Sequence, residues 1–177
     1  MKHDREEEQA LQATESGNMN IKIIALGRLK EKYLTEAFKE YEKRISAFGK
    51  LTLEELEPER LSDNPSEAEI EKALTAEADR IMAKIPQNSL TVAMCIEGKQ
   101  KDSVAFAELL SNASLNGKGT AVFIIGSSYG LSERVKKAAD IRLSMSEMTF
   151  PHQLARIMLM EQVYRAFTII SNRKYHK

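Results

Sequence analysis

The sequence predicts a single α/β domain built on a mostly parallel sheet of about five strands, with helices on both faces. Three observations carry this. Extended and helical signals alternate from Met19 to the C-terminus. Residues 90–96 and 121–125 are apolar at almost every position, which suits strands covered on both faces by helices. Finally, 177 residues with 42% apolar and 29% charged side chains give room for one core and exclude a chain disordered throughout.

Each element has its own signal. Residues 20–26 are rich in β-branched side chains and stop at Gly27, a strand and its breaker. Leu34, Phe38, Tyr41, Ile45 and Phe48 recur at helical spacing, one face of a helix that ends before Gly49. Residues 51–56 set Leu51 and Leu53 between polar neighbours, a half-buried strand, and residues 57–65 read as a loop. Ser66 offers an N-cap with Glu69 three residues on, opening a helix that stops before Pro86. Strand 90–96, helix 103–115 and strand 121–125 follow. Ser132 caps a short helix, residues 139–145 form the next strand, and Pro151 starts a last helix over 152–170.

Composition excludes several classes. No stretch approaches the roughly 18 apolar residues of a membrane helix, and the N-terminus lacks the apolar run of a signal peptide, so the chain reads as soluble and cytoplasmic. A single cysteine excludes a disulfide framework or a cysteine-based zinc site, and no metal is expected; Cys95, inside an apolar run, reads as a small buried hydrophobe. With 26 basic against 26 acidic residues there is no bulk pull toward nucleic acid, and any such partner must meet a local patch. Residues 1–18 carry Lys2 and Arg5 against Asp4, Glu6, Glu7, Glu8 and Glu15. They read as a disordered or weakly helical leader, an alternative start or an expression remnant, ahead of a domain over 19–177.

In an open parallel sheet, ligands bind beyond the carboxyl ends of the strands, so the exit loops carry the functional information. Strand 121–125 leaves through Gly126-Ser-Ser-Tyr-Gly130, and the 139–145 strand through Ser146-Glu-Met-Thr-Phe-Pro-His152. Two glycines four apart let a backbone bend tightly and come close to a ligand. Alone they are weak evidence, because neither a dinucleotide fingerprint nor a P-loop is present.

The segments Val122-Phe-Ile-Ile-Gly-Ser-Ser-Tyr-Gly-Leu131, Leu143-Ser-Met-Ser-Glu-Met-Thr-Phe-Pro-His-Gln153, Glu161-Gln-Val-Tyr-Arg-Ala-Phe167 and Tyr175-His-Lys177 carry a specific resemblance. With Gly27 and Lys30-Glu-Lys-Tyr33 they resemble the bacterial ribosomal large-subunit methyltransferase H family, from Met19 to the C-terminus. The resemblance implies a SPOUT-class fold with a C-terminal trefoil knot, a homodimer, and S-adenosylmethionine as cofactor. It further implies methylation of N3 of a pseudouridine in 23S rRNA on the assembled ribosome. Carried over, the cofactor site comprises Met94, where many members have Leu, Gly126, and Met145, Ser146, Glu147, Met148, Thr149 and Phe150. Methylating a weakly acidic ring nitrogen needs a base or a cation that stabilises the developing anion, so Arg165, Tyr175 and His176 are assigned to the RNA side, with His152 as the alternative base.

Plainer readings stand beside these. The two glycines fit a simple turn, His152 a capping histidine, Glu161 and Arg165 a solvated ion pair, and the last four residues a frayed tail. Helix 152–170 is apolar around much of its circumference, which asks for two burial partners, the sheet and a second copy of the chain. Arg156 then sits beside an apolar stripe and needs an acceptor, across that interface or at the cofactor crevice. The rival functional readings are a non-catalytic RNA-binding or ribosome-assembly module on the same scaffold and a flavodoxin-like nucleotide-binding enzyme.

Overall fold

A computed structural model describes residues 19–173. In chain order its elements are β1 (Asn20–Leu26), α1 (Lys32–Ile45), β2 (Leu51–Leu56), α2 (Glu67–Met82), β3 (Leu90–Gln100), α3 (Ser103–Leu115), β4 (Thr120–Ile125), α4 (Glu133–Ala138), β5 (Ile141–Ser144) and α5 (His152–Ile170). The strands form one sheet in the order β2-β1-β4-β3-β5, and every pairing of neighbours is parallel.

Side-chain alternation divides the core into two layers. Ile21, Ile23 and Ala25 of β1 and Ala121, Phe123 and Ile125 of β4 face α1, α3 and α5. Ile24 and Leu26 of β1 with Val122 and Ile124 of β4 face α2 and α4 instead. Because both faces are covered, these strands read as continuous apolar runs. Burying each such Ile or Phe contributes on the order of 1.5–3 kcal/mol. The capping box expected at Ser66 is present: its hydroxyl accepts from the Glu69 amide at 3.3 Å, and the Glu69 carboxylate accepts from the Ser66 amide at 2.8 Å. Ser132 caps α4 as expected, accepting from the Arg134 amide.

Several boundaries differ from the sequence reading. Helix α1 stops at Ile45, and Phe48 reaches back over α5, stacked on Phe167 at 5.4 Å between ring centroids. Strand β3 runs past Ile96 to Gln100, because Gly98 lets it fold around β5. Leu143 pairs with Met94 on one arm of β3 and with Lys99 on the other. A Cβ at Gly98 would stand 2.6 Å from the Leu143 carbonyl carbon. Strand β5 is shorter than expected. Asp140 is occupied in accepting from the Thr91 amide at 2.8 Å, and Ser144 turns the chain by donating to the Ser146 carbonyl at 3.0 Å.

The last helix finds most of its burial inside its own chain. Leu159, Met160, Val163, Ala166 and Phe167 pack on the sheet between α1 and α3. Arg156 is fully buried and its acceptors are internal, which corrects the expectation of a partner across an interface or at the cofactor crevice. Nη1 donates to Glu55 Oε1 at 2.6 Å and Nη2 to the Gly27 carbonyl at 3.0 Å. Among the described residues no helix is long and apolar enough to cross a membrane.

Candidate active site

The helix connections determine where crevices open. The exits of β1, β3 and β5 lead to α1, α3 and α5 on one face, whereas the β4 exit leads to α4 on the other. Neighbouring strands whose exits diverge leave a crevice beyond their carboxyl ends. Since β4 lies between β1 and β3, the 126–130 loop has a cleft on each side.

The larger cleft, about 820 Å3, lies toward β3 and β5. Met94, Ile96, Ile125, Leu131, Leu143 and Phe150 give it an apolar lining, and the 126–130 and 145–150 loops give it a backbone rim. Volume and lining are those of a site for a mononucleoside-sized ligand. The 126–130 loop folds on itself through a bond from the Gly130 amide to the Ser127 carbonyl at 2.9 Å, with Gly130 at φ +80°. A Cβ on Gly126 would stand 2.5 Å from the Gly130 carbonyl carbon, so the glycine is required by the turn itself. In the second loop the Ser146 hydroxyl accepts from the Met148 amide at 3.0 Å.

Of the proposed cofactor residues, Met94, Gly126, Met145, Ser146, Met148, Thr149 and Phe150 line this cleft, and Glu147 on the same loop is exposed outside it. Cys95 is half-buried and lines the cleft rather than sitting in the core; burial pushes its thiol up, away from a reactive thiolate. Lys136 on the cleft wall is held by Glu97 and by Glu133 at 3.1 Å. Burial works against its charge, but the two carboxylates outweigh it and raise the ammonium above its ordinary range. Glu97 is lowered by the same contact with Lys136.

His152 borders both clefts. Burial, then Arg156 and Lys30, lower its imidazole below the ordinary value, so it is neutral at neutral pH and able to accept a proton. Arg165 is not brought to either cleft. It lies on the half-buried face of α5 with Glu161, donating at 2.7 Å. Tyr175 and His176 lie outside the described residues.

The smaller cleft, about 450 Å3, opens toward β1 and α2. Its floor holds Glu77, only 3% exposed, which no sequence signal singled out. Glu77 accepts from the Glu59 amide at 2.9 Å and from the Ser127 hydroxyl at 3.4 Å, and burial raises its carboxyl above the ordinary range. Arg80, one turn on, donates to Glu59 at 2.6 Å and to the Glu57 carbonyl at 2.9 Å, fixing the 57–62 strap over this cleft. Among the described residues no group of three His, Cys, Asp or Glu side chains is placed to hold a metal ion.

The family described as "Predicted SPOUT methyltransferase" matches residues 19–176. A protein named ribosomal RNA large subunit methyltransferase H from Streptococcus suis is 46% identical over 159 residues, covering 90% of this chain and 100% of that protein. One of the same name from Carboxydothermus hydrogenoformans is 45% identical over the same coverage. The chain belongs to the SPOUT methyltransferases, in the ribosomal RNA large subunit methyltransferase H family. Among solved structures, a probable methyltransferase from Bordetella pertussis Tohama I aligns at a TM-score of 0.52 and 15% identity over 90% of this chain and 99% of that one, a likeness of fold. The cofactor of this methyltransferase is S-adenosylmethionine, and the glycine turn with the apolar 820 Å3 cleft fits it: an apolar slot for a ring, rimmed by loop backbone.

Proposed function

We propose that the chain methylates N3 of a pseudouridine in 23S rRNA on the assembled ribosome, acting as a homodimer in the cytoplasm. The observation that carries this reading is the cleft between the 126–130 and 145–150 loops, with His152 at its edge. When bound, S-adenosylmethionine would supply an electrophilic methyl group for the ring nitrogen. Met94, Gly126, Met145, Ser146, Met148 and Thr149 would hold and orient that group, with Ile96, Ile125 and Phe150 excluding water. His152 accepts the N3 proton in its neutral form. Arg165, with Tyr175 and His176 of the tail, supplies the RNA side from a partner subunit, where a cation stabilises the developing ring anion.

The homodimer is supported by α5. Leu154, Met158, Arg165 and Ile169 lie on one side of the helix and stay exposed or half-buried after its core stripe is covered. A trefoil knot belongs to the same reading, supported by the way β3 wraps β5 at Gly98. Calorimetric titration with S-adenosylmethionine, then with FMN and ATP, tests the cofactor. Binding of the first alone is expected, and binding of FMN or ATP in its place would overturn the reading.

A further inference from the structure

The two clefts that flank the 126–130 loop share Ser127, Ser128, Tyr129 and His152 as a common wall, and the cofactor would fill only the larger of them. The second lies at the β1/β4 crevice, an equally good place in this topology for a ligand. Leu26, Leu61, Ile70 and Leu74 give it apolar walls suited to a flat ring, while Arg28 and Lys30 stand at its mouth. Arg28 is partly neutralised by Glu57 at 3.1 Å; Lys30 lies close enough to His152 to lower its imidazole. Such a mouth suits the phosphate of a nucleotide, and such a floor suits a donor. An ionised carboxylate has about four acceptor positions. The Glu59 amide takes one on Glu77 and Ser127 a second, which leaves acceptor capacity on a side chain that lines the cleft.

Pseudouridine differs from uridine in one recognisable group. Its glycosidic bond is to carbon, so the ring carries N–H at both N1 and N3, whereas uridine has no N1–H. We propose that the β1/β4 cleft seats the target pseudouridine ring and that Glu77 on its floor accepts the ring N1–H, making Glu77 a specificity-determining residue. This rests on the methyltransferase reading and adds to it the site of the acceptor base. His152, on the shared wall, then borders both the seat of the base and the cofactor cleft, beside the path between ring nitrogen and methyl group. A pocket built to accept a hydrogen bond rejects the analogue that lacks the donor far more strongly than an apolar pocket rejects a missing methylene.

The test uses the full chain, S-adenosylmethionine and ribosomes carrying either pseudouridine or uridine at the target. Glu77→Gln keeps an acceptor for the Glu59 amide but puts an NH2 group where the second oxygen was, opposing the ring N–H. Ser62→Trp, on the exposed rim of the cleft, fills it without touching the core. The wild type is expected to favour pseudouridine ribosomes at least about tenfold in kcat/KM. Glu77→Gln should erase that preference by lowering the pseudouridine rate alone, and Ser62→Trp should raise the ribosome KM about tenfold, with S-adenosylmethionine affinity kept in both. Equal wild-type rates on the two ribosomes overturn the proposal, as does an inert Ser62→Trp or a Glu77→Gln that lowers both rates equally or loses cofactor affinity. Failure of the wild type to bind S-adenosylmethionine or to methylate either ribosome contradicts the underlying function instead.

Discussion

Arg156 Nη1 and Glu55 Oε1, 101 residues apart in sequence, meet at 2.6 Å and tie the first turns of α5 to the end of β2. The same guanidinium donates to the carbonyl of Gly27, the residue that ends β1. Three elements that converge on the clefts are thus held by one fully buried cation. Burial lowers its pKa and Glu55 opposes that fall.

Glu55→Ala should therefore be more damaging than Arg156→Met. Removing the carboxylate leaves a buried charge without compensation, which costs about 3 kcal/mol, at the lower end of the range because Glu55 is itself partly exposed. Arg156→Met removes the fully buried charge and leaves a carboxylate that is partly exposed and open to solvation, so it should cost less. Urea denaturation of both variants checks the order, and a Glu55→Ala midpoint equal to wild type contradicts it.

Gly126→Val cannot be a clean probe of the cofactor site, since its side chain would strike the Gly130 backbone and open the turn. It should lose both stability and cofactor affinity. Ile96→Glu separates the two effects. Ile96 is 58% exposed on the cleft wall, so the variant should keep the wild-type urea midpoint while weakening S-adenosylmethionine about tenfold or more. Unchanged affinity in Ile96→Glu would place the cofactor elsewhere.

Dimer formation is expected to depend on the outer face of α5. Leu154, 40% exposed, and half-buried Met158 should tolerate Glu as folded monomers that sediment at half the wild-type mass. Val163→Glu, by contrast, places a carboxylate in the closed core and should unfold the chain, not split it. A monomeric wild type at micromolar concentration sinks the interface.

His152 gives a pH dependence whose sign follows from its lowered pKa. Between the folded value and about 6.5 the unfolded chain holds more protons than the native one, so stability rises with pH across that window. His152's contribution is complete above about 6.5 and is lost as pH falls from there through the lower folded value. His152→Gln should flatten this part of the profile in urea melts taken from about pH 5 to 8. A wild-type profile already flat there would contradict the buried, neutral imidazole.

Most of the fold is legible locally. The runs that became β1 and β4 announce themselves by composition, and the Ser66–Glu69 capping box starts α2 where its spacing says it should. What local reading loses is whatever depends on a distant backbone. The apolar run read as a strand over 90–96 stops short of Gly98, yet β3 continues through it because β5 presses against it. Arg156 looks like an interface residue until Glu55 arrives from β2. Glu77 sits among Glu69, Glu71 and Asp79 on a charged helix, and only the strap that brings the Glu59 amide marks it as buried. The glycine turn and the 145–150 loop are recognisable as motifs, but the second cleft exists only once β1, α2 and the β4 exit are assembled.

Transfer of labelled methyl from S-adenosylmethionine to ribosomes, followed by mass spectrometry of the large-subunit rRNA, reads the reaction and its target together. The full chain should add one methyl group, on N3 of a single pseudouridine, and a chain lacking residues 174–177 should bind the cofactor yet transfer nothing. Cofactor binding with no label in the rRNA from the full chain would contradict the account and leave a non-catalytic RNA-binding module in its place.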